Sequence, residues 1–315
     1  MEGKKIVIAL GGNALQSGNE GATADGQLRM AQKTSKKIAE IKELGYKMAV
    51  VHGNGPQVGR IVLATEAAKE ITPAMPFDVC GAMSQGYIGY HLQQSIREAL
   101  IEKNLNTPVL SVVTQVVVDK DDQGFKNPTK PIGPFYTEEE AQKLVEETGC
   151  VVKEDAGRGY RKVVASPIPK EIVEIDSVKE LLENNIVIAC GGGGIPVVKK
   201  SEQVLEGVAA VIDKDFAAEL LAEEIEADEF VILTEVSKVA INFNKENEKF
   251  LDKMTVSEAK KYIEEGHFAP GSMLPKVMAA LKFVEKYHDK KAYIASLDKA
   301  KEALEGKDGT MIIWG

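Results

Sequence analysis

The sequence predicts an α/β protein, an open three-layer sandwich with a mainly parallel central sheet, two lobes and a small protruding subdomain. Three observations carry this reading. Strand-length apolar runs alternate with amphipathic helical segments along most of the 315 residues. Glycine clusters follow several of those runs directly, and one proline- and glycine-rich stretch, Asp119 to Glu140, interrupts the alternation.

The expected strands are Ile6 to Leu10, Met48 to Val51, Val109 to Val118, Ile186 to Cys190, Phe230 to Leu233, Val239 to Phe243, Lys291 to Ala295 and Thr310 to Trp314. Between them lie helical stretches such as Leu28 to Leu44, stopped by Gly45. Another is Thr137 to Thr148, opened by a Thr137/Glu140 capping box and stopped by Gly149. In sheets of this kind ligands sit beyond the carboxyl ends of the strands. Three glycine clusters stand at such ends: Gly11, Gly12 and Asn13 after the first strand, His52 to Gly59 after the second, and Cys190 to Pro196 after the fourth. One glycine at a strand end makes a tight turn; three clusters on one edge, one with four consecutive glycines, point to backbone that approaches a ligand closely. None matches GxxxxGK[ST], and CGGGGIPVV lacks the strand–GxGxxG–helix context of a dinucleotide site.

The interrupting stretch carries Phe125, Phe135, Tyr136 and Lys130, and Tyr160, Arg158 and Arg161 follow the next helix. That mixture suits a packed protrusion, or lid, better than a loose connector.

Lysine plus arginine number 39 against 48 aspartate plus glutamate, a net charge of −9, which argues against nucleic acid or an anionic membrane as partner. Small anions remain compatible, because screening confines the decision to the few charges inside a cleft. The three cysteines, Cys80, Cys150 and Cys190, are far apart and lack a CxxC pair, so neither a disulfide framework nor structural zinc is expected. The apolar segment in MEGKKIVIAL is too short for a signal peptide or membrane span, and a cytoplasmic location is expected.

Two stretches place lysines where a phosphate could use them. In VIDKDFAAELLAEEI, Asp213, Lys214 and Asp215 open a helix. The aspartates are also ordinary first-turn caps, whereas a lysine at the positive end of a helix dipole is locally unfavourable and suggests an anion. In HFAPGSMLPKVMAALKF a Gly-Ser turn leads into a helix with Lys276 in its first turns, which alternatively reads as a surface lysine. His52 beside a glycine loop reads more simply as structural, and Cys190, with no base near it in sequence, as a small buried residue.

The segments ALGGNAL, HGNGPQVG, DVCGAMSQGYIGY, NPTKPIGPFY, GGGGIPV, VIDKDFAAELLA and GSMLPKV, in this order over nearly the whole chain, closely resemble the carbamate kinases of the amino acid kinase family. The resemblance implies reversible phosphoryl transfer between MgATP and carbamate, giving carbamoyl phosphate and ADP, in a homodimer, run toward ATP synthesis in arginine breakdown. It implies an N-terminal lobe over residues 1–220 for carbamate, with a lid over about residues 120–168, and a nucleotide lobe over residues 221–315. Gly11, Gly12, Asn13, Gly53, Asn54 and Gly191, Gly192, Gly193 and Gly194 would cradle the transferring phosphate. Lys130 would hold the carbamoyl group, Lys214 and Lys276 would neutralise the phosphoryl charge, and Asp215 would position them. Thr234, Glu235, Val236, Val239 and Met273 are expected near the nucleotide, although an ordinary strand-loop-strand reads the same at the first four. Mg2+ comes with the nucleotide, and no protein metal ligand is expected. Relatives in the wider family carry a lysine two residues before the first glycine pair; Ala9 stands there, and Lys214 would replace it. The alternatives are a kinase of the same scaffold for another small acid, one making carbamoyl phosphate for biosynthesis, or a phosphate-binding protein without turnover.

Overall fold

Strands Lys5–Leu10 and Lys47–His52 are buried almost end to end in the computed structural model, which describes residues 3–11, 15, 23–155 and 157–315. They form the centre of an eight-stranded sheet whose spatial order is Lys253–Thr255, Thr310–Ile313, Lys291–Ser296, Glu229–Thr234, Lys5–Leu10, Lys47–His52, Ile186–Ile188 and Val109–Ser111. Every pairing in it is parallel except that of Lys291–Ser296 with Thr310–Ile313. A strand covered on both faces needs apolar residues at successive positions, which is why these runs do not alternate with polar residues.

The two-residue side-chain period sorts the runs between two cores. Val7, Ala9, Ala49, Val51, Phe230 and Ile232 face one side, where Ala217, Ala218 and Leu221 of the Lys214–Glu224 helix and Val277, Ala280 and Phe283 of the Met273–Lys286 helix cover them. Ile6, Ile8, Leu10, Met48, Val50 and Val231 face the other, under Ala31 and Ile38 of the Ala24–Lys42 helix and Ile88, Leu92 and Ile96 of the Phe77–Glu102 helix. Helix, sheet and helix thus make the expected three layers.

The expected strand Val109 to Val118 is two strands in two sheets. Val109–Ser111 ends the large sheet, whereas Gln115–Val118 joins a four-stranded sheet with Val204–Gly207, Ile195–Ser201 and Pro169–Ile172. Buried Thr114 makes the break. Its hydroxyl donates to the Val112 carbonyl at 2.8 Å and accepts the Cys190 amide at 3.1 Å, while its carbonyl accepts the Ile195 amide at 2.9 Å and Gln85 Nε2 at 3.1 Å. The strand expected to reach Cys190 stops at Ile188, because Cys190 adopts a left-handed φ of 50° to start the glycine turn. The strand begun at Val239 ends at Ile241, before left-handed Asn242, and forms a hairpin with Lys249–Leu251.

The interruption of the α/β rhythm is a subdomain. Lys130–Tyr136, Tyr160–Val164 and Val151–Glu154 form an antiparallel sheet beside the Glu138–Thr148 helix, which has the expected Thr137/Glu140 capping box and a left-handed Gly149. Arg158 and Arg161 lie over the Phe135 ring, 4.9 and 5.2 Å from its centroid, and Arg161 also donates to the Gly133 carbonyl at 2.9 Å. The subdomain rests on the Gly55–Ala67 helix backbone to backbone: a Cβ on Gly59 would fall 2.2 Å from Gly133 Cα. It is a packed protrusion, as its aromatic and basic residues suggest.

Candidate active site

Because Lys5–Leu10, Lys47–His52 and Ile186–Ile188 are sheet neighbours running in one direction, their three glycine-bearing ends lie side by side. Gly191–Gly193 forms a short 3-10 turn in which Gly192 and Gly193 have φ of 69° and 96°, followed by Gly194 at 86°. These are conformations that a side chain resists. Space forbids one as well: a Cβ on Gly191 would lie 2.4 Å from His52 Nε2, on Gly192 2.2 Å from Asn54 Nδ2, on Gly193 2.1 Å from the Ile212 carbonyl oxygen, and on Gly194 2.2 Å from Val116 Cγ2. The Gly193 and Gly194 amides close the turn by donating to the Cys190 and Gly191 carbonyls at 3.0 and 3.1 Å. Of the four glycines, Gly192 lines the cavity described next. The other three shape the turn.

His52 is buried, with Nδ1 2.9 Å from the Gly53 carbonyl and Nε2 without a partner among the described residues. Burial pushes its imidazole down to about 4, so it is neutral at ordinary pH and acts as packing beneath Gly191. Asn54 caps the Gly55–Ala67 helix by position and donates from Nδ2 to Ser84 Oγ at 2.8 Å.

Gly53, Asn54 and Gly192 share a cavity of about 240 Å³ with Lys130, Asp213, Lys214, Asp215 and Lys276. Asp213 is the N-cap of the Lys214–Glu224 helix: Oδ1 accepts the Asp215 amide at 2.9 Å, and Oδ2 accepts Lys130 Nζ at 2.6 Å. Asp215 accepts Lys214 Nζ on Oδ1 at 2.7 Å and Lys276 Nζ on Oδ2 at 2.8 Å. The Asp215 side chain is 3% exposed, and those of Lys214 and Lys276 are 12% and 13% exposed. Such pairs are shielded from screening by salt. Three ammonium groups against two carboxylates leave the cavity positive, as an anion site requires.

The fields at these groups are consistent with that count. Burial opposes ionisation of Asp215, but Lys214 and Lys276 override it and hold the carboxyl far below its ordinary range. Burial likewise opposes charge on Asp213, and Lys130 outweighs it, so this carboxyl is also lowered. Lys214 is raised despite burial, because both aspartates face it. Lys276 is lowered: burial dominates, and repulsion from Lys214 offsets part of the help from Asp215.

A second cavity, about 400 Å³, adjoins the first through Gly271, Ser272 and Lys276, which line both. Gly11, Thr234, Glu235, Lys33, Ser296 and Asp298 also line it. Gly11 fits here because its amide donates to the Leu233 carbonyl at 2.8 Å, and a Cβ would stand 2.7 Å from that oxygen. Gly12 and Asn13 lie outside the described residues. Val239 is fully buried, its amide donates to Thr310 Oγ1 at 2.8 Å, and its side chain belongs to the core. Met273 packs against that same core from the first turn of its helix, and Val236 occupies the bend between Thr234 and Val239. The residues missed from sequence are Asp213, which reads there as a cap alone, and Gly271, Ser272, Ser296 and Asp298. Ser296 ends a parallel strand on the same sheet edge, so the strand-end rule that found the glycines also points to it. A larger cavity, about 460 Å³, lies away from the glycine loops and from these lysines.

Over residues 4–296 the sequence matches the profile of the Amino acid kinase family. This chain belongs to the amino acid kinase family. It is 56% identical to the carbamate kinase of Clostridium perfringens (strain 13 / Type A), over 98% of this chain and 99% of that protein. It is 50% identical to the carbamate kinase of Pyrococcus furiosus, over 99% of each. The solved structure of carbamate kinase from Giardia lamblia bound to AMP-PNP superposes with a TM-score of 0.91 at 46% identity, covering 99% of both chains. N-acetylglutamate synthase from Neisseria gonorrhoeae, at 14% identity and a TM-score of 0.56, shares the fold alone. In this amino acid kinase Ala9 is wholly buried in its strand, while the stem of Lys214 lies against the neighbouring loop, with Cδ 3.3 Å from where a Gly53 Cβ would be.

Proposed function

We propose that the protein is a carbamate kinase, transferring a phosphoryl group reversibly between MgATP and carbamate to give carbamoyl phosphate and ADP. The observation that carries this is the position of Lys276, on the wall shared by a small cationic cavity and a larger adjoining one. In this reading the small cavity takes the carbamoyl end and the larger takes ADP, and the phosphoryl group crosses beside Lys276. Phosphoryl transfer asks chiefly for alignment and for fixed positive charge where negative charge builds. Carbamate is already an oxyanion, so no side chain need remove a proton from it.

Asp215 holds the Lys214 and Lys276 ends before substrate arrives, so little reorganisation accompanies the transition state. Gly53, Asn54 and Gly192 let the phosphate approach the backbone, and Gly11, Gly12, Asn13, Gly191, Gly193 and Gly194 remain assigned to the same phosphate cradle. Lys130 stands on the protrusion with its ammonium parked on Asp213, and we assign it to the carbamoyl group when the lid closes. Thr234, Glu235, Val236 and Met273 remain the candidates nearest the nucleotide. Residues 1–220 then serve carbamate, with the lid at about 120–168, and residues 221–315 serve the nucleotide. Among the described residues no group of three His, Cys, Asp or Glu side chains is placed to hold a metal ion, and Asp213 and Asp215 already hold lysines. Mg2+, arriving with the nucleotide, would be held mainly by phosphate oxygens and water, adding charge neutralisation.

We infer a homodimer from the likeness to carbamate kinases, and the Phe77–Glu102 helix, where Val79, Met83 and Tyr90 are exposed, Tyr90 to 63%, offers a face for a second copy. A cytoplasmic location and a physiological role in forming ATP from arginine breakdown belong to the same reading; among the described residues no helix is long and apolar enough to cross a membrane. The deciding experiment is a coupled assay for ATP from MgADP and carbamoyl phosphate. Turnover is expected. No ATP above the uncatalysed background, with acetyl phosphate or acetylglutamyl phosphate accepted instead, overturns the assignment.

A further inference from the structure

The 460 Å³ cavity lies between the Lys214–Glu224, Val256–Glu264 and Met273–Lys286 helices and shares no lining residue with the two cavities above. Its walls are largely apolar, with Phe216, Ile263 and Leu281 among them, but fully buried Glu219 also lines it. Glu219 Oε2 accepts Lys282 Nζ at 2.5 Å, whereas Oε1 accepts no hydrogen bond among the described residues, and the protonated carboxyl shares a hydrogen bond with Glu223. Glu223, one turn on, stands 3.7 Å from the same ammonium, so two carboxylates of one helix share one lysine. Lys260 offers no relief, since Glu285 holds it at 2.5 Å, and Glu264 adds a further carboxylate to the lining. The cavity therefore combines hydrocarbon walls with an excess of negative charge around a buried carboxyl.

We propose that this cavity is a second ligand site, for a small organic amine whose ammonium completes the Glu219–Glu223–Lys282 cluster while its hydrocarbon body lies on Phe216, Ile263 and Leu281. A bare metal ion would leave those apolar walls uncovered, and a neutral hydrocarbon would leave the excess negative charge of the lining uncompensated. Burial, opposed by Lys282 and reinforced by Glu223, pushes the Glu219 carboxyl up to about 8. At neutral pH a proton thus stands where the amine would bind. Binding exchanges one for the other: the ammonium enters with its proton, and Glu219 releases its own to solvent. Affinity should rise as the pH climbs through about 8, because the free site then no longer has to lose a proton.

The test is calorimetric titration of the full chain with benzylamine, in two buffers of different ionisation enthalpy, with benzyl alcohol as the neutral control. The expected result is saturable 1:1 binding with proton release approaching one per amine at pH 7. Glu219→Gln should weaken it at least tenfold and remove the proton release, while Met278→Trp, which blocks the cavity lining with Glu219 intact, should abolish binding. Thermal unfolding confirms that each variant is folded. No saturable binding by wild type at millimolar benzylamine, equal affinity in Glu219→Gln, or equal affinity for benzyl alcohol overturns the proposal.

Discussion

Replacing Asp215 by asparagine keeps the shape of the side chain but removes the charge that joins Lys214 to Lys276. The carboxylate is 3% exposed and accepts two charged hydrogen bonds, at 2.7 and 2.8 Å. Its loss strands two buried ammonium groups beside each other, and breaking a buried pair in this way costs about 3–5 kcal/mol. For a domain of this size that lowers the unfolding midpoint on the order of 5–10 °C. The lysine ends also lose their shared anchor, so kcat should fall by about 10²–10³, the loss found when one preorganised donor is removed. The pH dependence has a definite sign. Asp215 titrates below its unfolded value, so its stabilisation is complete above about pH 4 and disappears as the pH falls toward the depressed folded value. The gap between wild type and Asp215→Asn should thus be constant from pH 5 to pH 8, within roughly the accuracy of urea titrations, and close in stronger acid. Adding Lys276→Met should restore part of the stability, because one stranded charge is gone, and none of the activity. An Asp215→Asn protein with wild-type stability and rate, or a double variant that regains its rate, refutes the clamp.

Lys214→Ala and Lys276→Ala should each lower kcat by about 10²–10³ while the protein stays folded by circular dichroism; an unchanged kcat leaves that lysine only a structural role on Asp215. Lys130→Ala should greatly weaken carbamoyl phosphate turnover and leave calorimetric ADP affinity nearly unchanged, since Lys130 lines the small cavity and not the larger one. An equal loss of ADP affinity assigns Lys130 to the nucleotide. Gly192→Ala should lose most activity, because the new methyl meets Asn54 Nδ2 at 2.2 Å on a residue with φ of 69°; near-wild-type kinetics would mean that the turn relaxes freely. His52 is buried neutral at about 4, so the unfolded chain takes its proton first as the pH drops from about 6.5, and roughly 3 kcal/mol is lost by pH 4. His52→Gln should flatten that acid limb in denaturant titrations, and an unaltered slope would assign the limb to other groups.

The layer architecture was legible because burial on both faces leaves a local signature. Ile6 to Leu10 is apolar at every position, and the neighbouring segments carry helical periods and caps such as Thr137 with Glu140. The glycine loops were legible for a related reason: a sheet of parallel strands puts all their carboxyl ends on one edge, so a cluster after each strand locates itself. The break at Thr114 was not. Both halves of Val109 to Val118 have strand composition, and what divides them is a buried hydroxyl bonded to Cys190, which is remote in sequence. The burial of Val239 was hidden for the same reason, since a residue at a strand start is equally apolar whether it faces ligand or core.

The sequence by itself determined the elements, the edge on which the loops gather, and which lysines stand unexplained by a local role. Only the tertiary structure decided what those lysines touch. Lys130, Lys214 and Lys276 come from three separate parts of the chain, and Asp213 reads locally as nothing more than a helix cap. Folding brings Lys130 onto Asp213 and Lys276 onto Asp215 across 83 and 61 residues of chain. Charge attraction depends on distance in space and on the water excluded around the pair, and neither is written in the order of the residues.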